Sequence, residues 1–148
     1  MPSSTATVTI DRPAEVVWAA IRDYADPGWR GGIATCVLEG DVRTVTTQGR
    51  DLVLEETLLH HDDEARTFTY SVTSVRGDTV VDKGDGTTLD IASMAGHHRA
   101  TLTVGPVDDA TARVVYDLEV DEGHDETFES TSGQYRAVLD RLKRQLEG

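Results

Sequence analysis

Between Asp125 and Leu146 the chain carries apolar side chains at helical spacing. Phe128, Tyr135, Val138, Leu139, Leu142 and Leu146 fall on one face at intervals of three, four and seven. Asp125 is a candidate N-cap, Glu126 and Glu129 sit in the first turn, and Lys143 and Arg144 sit in the last, the order of charge that the helix dipole favours. A helix apolar on one side must cover something, and what precedes it reads mostly as strands. The spacing therefore predicts a long terminal helix laid on an antiparallel sheet. The face changes along its length: the first half mixes Phe128, Thr131, Ser132 and Tyr135 around Gly133, and the second half is Val and Leu. Glycine inside a helix costs about 1 kcal/mol relative to alanine. Gly133 reads either as close helix–sheet contact or as room for a ligand under a partly polar roof.

The preceding segments supply the sheet. Thr5 to Ile10 alternates, with Ala6, Val8 and Ile10 on one side and threonines on the other. Asp11-Arg12-Pro13 opens a helix whose apolar face is Val16, Val17, Ala20, Ile21 and Tyr24, with Trp18 alongside. Asp26-Pro27-Gly28 ends that helix, and Trp29 to Gly32 forms a turn or a short second helix. Strand signals then run over Ile33 to Glu39, Val42 to Thr47, Arg50 to His61, Arg66 to Val75, His97 to Val104 and Arg113 to Asp121. Arg76 to Gly96 is long for a hairpin connection and is a candidate lid or rim. With no linker or internal repeat, the reading is one α+β domain over residues 1–148, with about seven antiparallel strands.

Composition excludes several functions. Fourteen basic against 27 acidic side chains give a net charge of −13, which argues against nucleic acid and anionic membrane surfaces. The single Cys36 leaves no internal disulfide and fits a reducing compartment. No apolar h-region or span of about 20 apolar residues occurs, so a soluble cytoplasmic protein is expected.

The run Ile10-Asp11-Arg12-Pro13-Ala14-Glu15-Val16-Val17-Trp18 resembles the opening "I-x-A/R-P-x-E-x-V-W" of the START/SRPBCC superfamily, and Glu56 to Tyr70 resembles its "E-R-L-x-x-L-D-D-x-x-R-x-x-x-Y" hairpin. His98-Arg99 falls where "Y-R" commonly opens the next strand. The resemblance covers the whole chain and is similar in order to the polyketide cyclase/dehydrase-like members. It implies a helix-grip fold, in which a curved sheet wraps the terminal helix around a cavity for a hydrophobic small molecule of polyketide, lipid or isoprenoid class. It implies no cofactor, and it leaves open cyclisation or dehydration chemistry against a non-catalytic carrier or sensor, and a monomer against a homodimer. Ala34 stands where similar receptors carry a ligand-binding lysine, so no counter-charge for a carboxylate is expected there.

Candidate site residues follow from the inward faces. Glu56 lies in phase with Leu52, Leu54, Leu58 and His60, and an unpaired carboxylate there would have a raised pKa and could exchange protons near neutrality. Paired with an arginine or a hydroxyl, it would be structural. His98 replaces an aromatic on an apolar strand face, and the resemblance places it across the cavity from Glu56 as a catalytic partner. Tyr116 and Tyr135 offer phenol donors, and Phe68, Tyr70 and Phe128 offer apolar walls. Trp29 and Arg30 follow a helix break near the expected mouth, and His60 keeps the inward period but lies near a strand end, which puts it at the rim or in solvent. No metal site is expected, because His60-His61 and His97-His98 are adjacent on strands and point to opposite faces. A site joining His60, His98 and Glu56 is the one conceivable exception.

Overall fold

A computed structural model describes residues 3–82 and 84–148, and the backbone alone within 125–132. The alternating segment at the start forms β1 (Ser3–Ile10), followed by helix α1 (Ala14–Ile21) and a single 3-10 turn over Gly28–Arg30. Four strands come next: β2 (Ile33–Glu39), β3 (Val42–Thr47), β4 (Leu52–Asp62) and β5 (Thr67–Gly77). Short strands β6 (Val80–Asp82) and β7 (Thr88–Asp90) precede β8 (His98–Pro106), β9 (Ala112–Val120) and the long helix α2 (Asp125–Glu147). Seven strands make one antiparallel sheet in the order β1-β9-β8-β5-β4-β3-β2. The segment expected to be irregular is partly ordered, since β6 and β7 pair as a separate ribbon and Ile91–Met94 makes a 3-10 turn.

The core lies where period-two strands and the period-3.6 helix meet. On β9, Val114, Tyr116, Leu118 and Val120 are buried while their neighbours are not, and β8 matches them with His98, Ala100, Leu102 and Val104. Helix α2 covers this surface with Tyr135, Leu139 and Leu142, as its spacing predicts, with Val138 and Leu146 half-buried beside them. Each buried leucine contributes on the order of 2 kcal/mol, enough to set the side on which the helix lies. Its far end is fastened to the first strand, for Lys143 Nζ donates to the Thr9 carbonyl at 2.7 Å and Glu147 accepts the Asp11 backbone N–H at 2.7 Å. The helix begins one residue after His124, so Asp125 occupies its first turn and the cap carries no side-chain hydrogen bond. The side chains of Asp125, Glu126, Phe128, Glu129, Thr131 and Ser132 lie outside the described residues.

Two expectations about the helices change. In α1 the buried residues are Ala14, Val17, Trp18 and Ile21, whereas Val16 is exposed, because the helix sits one position round from the face chosen by hydrophobicity alone. In α2, Gly133 is exposed and an added Cβ would meet nothing within 4 Å, so it neither roofs a ligand nor admits a close contact.

The β4–β5 pair carries two register shifts. Glu55 pairs with Ser74 but Glu56 with Val72, and Leu58 pairs with Tyr70 but His60 with Thr69. Each extra residue, Thr73 on β5 and Leu59 on β4, is a bulge that bends the pair. The second reverses the phase of the strand end. His60 is turned outward and is exposed, while His61 comes opposite Phe68 and stacks on it at 6.2 Å between ring centroids. The inward placement expected for His60, and with it the His60–His98–Glu56 site, is overturned by that one inserted residue.

Candidate functional site

A cavity of about 190 Å³ lies between the inner face of the sheet and α2. Its walls include Ile33, Val45, Leu54, Val72, Met94 and Val138. The polar side chains Arg30, Glu56, Tyr70, His98, Tyr116 and Tyr135 converge on it. The mouth is at Gly31–Gly32 and Gln134, where Gly32 and Gln134 are exposed. Gly31 has φ of +78°, and a Cβ there would come 2.7 Å from Nε of Arg141, so the guanidinium of Arg141 lies across this glycine at the rim.

Glu56 is 2% exposed and lies opposite Arg43 in the β3–β4 register. Arg43, also 2% exposed, donates from Nε to Glu56 Oε1 at 2.7 Å and from a terminal nitrogen to the Tyr24 carbonyl at 2.9 Å. Its guanidinium lies 3.9 Å from the Tyr24 ring centroid and 5.1 Å from that of Tyr70. The Tyr24 hydroxyl donates in turn to the Glu56 carbonyl at 2.8 Å. Arg30 reaches the same carboxylate from the turn after α1, at 3.3 Å to each of its oxygens, and the Tyr70 hydroxyl at 3.3 Å.

Of the two states open to Glu56, this is the paired one. Burial pushes its carboxyl up, but the charges of Arg30 and Arg43 and the hydrogen bonds from both outweigh burial and hold it below its ordinary value. Glu56 is therefore an ionised anchor for two cations at neutral pH and not a base poised near it. Arg43 was not singled out by its residue type or by phase with an apolar run. Hairpin arithmetic holds the missing signal, but only with the turn centred between Gly49 and Arg50: reflection there sets position 43 against 56, whereas a turn centred on Gln48-Gly49 would set 43 against 54.

Two strands along the same sheet, on β8, His98 is 1% exposed and its Nε2 lies 2.7 Å from the Tyr135 hydroxyl. Its Nδ1 has no hydrogen-bond partner among the described residues. Burial lowers the pKa of this imidazole from 6.5 to about 4, so the ring is neutral at pH 7. Tyr116 shares a short hydroxyl–hydroxyl contact with Tyr70, and its ring stacks on Tyr135 at 3.7 Å and 9°. Burial raises both the Tyr116 and Tyr135 phenols well above their ordinary range, so they act as neutral donors and acceptors.

Six of the expected residues thus meet at one cavity: Glu56, His98, Arg30, Tyr70, Tyr116 and Tyr135. Three do not line it. Trp29 and Phe68 are core residues, Phe68 packing among Trp18, Tyr24, His61 and Tyr70. His60 is the third, for the reason given above. The side chain of Phe128 is outside the described residues.

A family described as "Polyketide cyclase / dehydrase and lipid transport" matches residues 1–147. The chain belongs to this family. Solved structures agree in fold. A protein of Bacillus thuringiensis is similar with a TM-score of 0.76 at 20% identity, covering 99% of this chain and 100% of its own. A START superfamily protein of Mycobacterium smegmatis gives 0.63 at 15% identity, covering 97% and 98%. The di-domain ARO/CYC protein BexL of the BE-7585A biosynthetic pathway gives 0.72 at 19% identity, covering 99% of this chain and 47% of BexL. No curated protein matches. As a polyketide cyclase/dehydrase and lipid-transport family member with the helix-grip fold, the chain has the architecture for binding hydrophobic ligands. Among its described residues no helix is long and apolar enough to cross a membrane.

Proposed function

We propose that this protein binds a hydrophobic small molecule with a carbonyl oxygen in the cavity and acts on it by proton transfer, as a cofactor-independent cyclase or dehydratase. The observation that carries the reading is the free Nδ1 of a buried, neutral His98 on the same cavity as the Arg30 guanidinium. With Nε2–H donating to the Tyr135 oxygen, the Nδ1 lone pair accepts a proton from the carbon next to the carbonyl. The electron pair of that C–H bond moves to the carbonyl oxygen, and Arg30 N–H groups stabilise the enolate. The imidazolium so formed is a strong acid in this buried site. It returns its proton to carbon, or to a departing hydroxyl that leaves as water. Glu56 orients Arg30 and does not exchange the proton.

The second reading is a carrier or sensor. It is favoured by Glu56, the one buried carboxylate among the described residues of the cavity, being engaged by two arginines. The two readings separate on α-proton exchange of acetophenone in D2O, followed by NMR. The enzyme reading expects exchange above the buffer rate that returns to background in His98→Gln. A wild-type rate equal to buffer, with acetophenone bound, leaves the carrier.

A further inference from the structure

Among the described residues, charge in the cavity does not balance. Arg30 and Arg43 bring two positive charges to the cluster, and among the described residues one carboxylate, Glu56, answers both. The other titratable groups there add nothing at pH 7: burial keeps the phenols of Tyr24, Tyr116 and Tyr135 protonated and the His98 imidazole neutral. A net positive charge held away from water is unfavourable unless an anion or hydrogen bonds compensate it.

The two arginines are not equivalent. Arg43 is satisfied, with a 2.7 Å bond to the carboxylate, a 2.9 Å bond to a carbonyl, and an aromatic ring against its face. Among the described residues, Arg30 makes side-chain contacts of 3.3 Å and 3.4 Å, beyond the 2.7–2.9 Å usual for a guanidinium on a carboxylate, and it lines the cavity. Its side chain is 13% exposed, so it faces the cavity rather than bulk water. A guanidinium has five N–H donors in a planar fork that matches a carboxylate. The rim adds a further cation in Arg141.

Volume limits what can accompany that charge. A cavity of about 150 Å³ accepts a benzene ring, whereas sites for drug-sized ligands run to about 300–1,000 Å³. The roughly 190 Å³ here suits one ring or a short acyl chain with a small polar group.

We propose that the ligand of this cavity is a small organic monoanion, a single-ring or short-chain carboxylate or acidic enol, whose charge is held by Arg30 with its apolar part against Val45, Leu54, Val72 and Val138. This rests on the reading of the cavity as a ligand site, and it narrows that reading by charge and size. Since the whole chain carries −13, long-range attraction does not bring the anion in, and recognition is local to Arg30.

Benzoate and its neutral isostere benzamide test the charge, and anthracene-2-carboxylate tests the size, each titrated into the full chain and followed by NMR. Benzoate is expected to bind at least about tenfold more tightly than benzamide, equivalent to about 1.4 kcal/mol. Anthracene-2-carboxylate is expected to bind more weakly than benzoate. Arg30→Met should abolish the preference for benzoate, and Arg30→Lys should restore part of it. Arg43 still pairs Glu56 in both variants, and an unchanged amide spectrum outside the cavity verifies that they fold. Benzamide binding as well as benzoate, a preference that survives Arg30→Met, or no saturable benzoate binding at millimolar concentration would each overturn the proposal. Tight binding of anthracene-2-carboxylate would overturn its size limit. Benzoate preference without acetophenone exchange upholds the anion site and removes the catalytic reading. Exchange without that preference does the reverse.

Discussion

Arg43 and Glu56 face each other across β3 and β4, with Nε 2.7 Å from Oε1 and both side chains buried. Their pairing turns what would be a protonated, mobile carboxyl into a fixed negative charge. That charge orients Arg30 towards the cavity, so a cross-strand contact in the sheet defines the polarity of the site.

Glu56→Gln removes the charge and leaves two guanidiniums without a carboxylate. Breaking one partner of a buried ion pair costs about 3–5 kcal/mol, and urea unfolding should show a loss of that size. Replacement of Arg30, Arg43 and Glu56 together by methionine should recover most of it. A loss below about 1 kcal/mol in Glu56→Gln would contradict the role assigned to the pair.

Acid should weaken the fold in two stages. His98 has its folded pKa lowered from 6.5 to about 4, so between these values the unfolded chain binds a proton that the native chain refuses. Stability therefore falls as pH drops from 6.5 towards 4, by about 3 kcal/mol in all. Glu56 is also lowered, from 4.5, so its contribution is present above pH 4.5 and is lost as pH falls through its folded value. Urea midpoints across pH 3–7 check both, and His98→Gln should flatten the upper stage while leaving the lower one.

Tyr135→Phe deletes the hydroxyl that meets His98 Nε2 and leaves both imidazole nitrogens buried without partners. A destabilisation of about 1–3 kcal/mol is expected. The stack on Tyr116 should persist, since the ring itself is retained. Thermal unfolding together with the ring nitrogen shifts of His98 distinguishes loss of the hydrogen bond from collapse of the wall.

Gly133→Ala should stabilise the protein by about 1 kcal/mol, the ordinary difference in helix propensity, because an added methyl meets open space. Benzoate affinity should not change. A drop in affinity would show that this part of the helix does contact the ligand.

Much of the site was legible as position and little of it as chemistry. The inward phase of Glu56, His98, Tyr70, Tyr116 and Tyr135 follows from alternation along single strands and one helix, and all five line the cavity. Phase failed where a bulge intervened, since Leu59 adds one residue to β4 and sends His60 to solvent while bringing His61 inward. It also could not separate core from cavity: Trp29 and Phe68 are inward-facing and simply packed over.

The α+β architecture follows from the order of residues, because hydrophobic period is a local property and each element can bury its apolar face in few ways. That order also determines which residues turn inward wherever the pairing is regular. That Glu56 is ionised and His98 neutral follows from the folded arrangement. Burial alone pushes both towards their uncharged forms. The outcome for Glu56 depends on Arg30, 26 residues away in sequence at 3.3 Å, and on Arg43, 13 residues away at 2.7 Å. Among the described residues His98 has no such counter-charge in contact, and desolvation outweighs the more distant Glu56. Electrostatic interaction depends on distance through space, which periodicity along the chain does not contain.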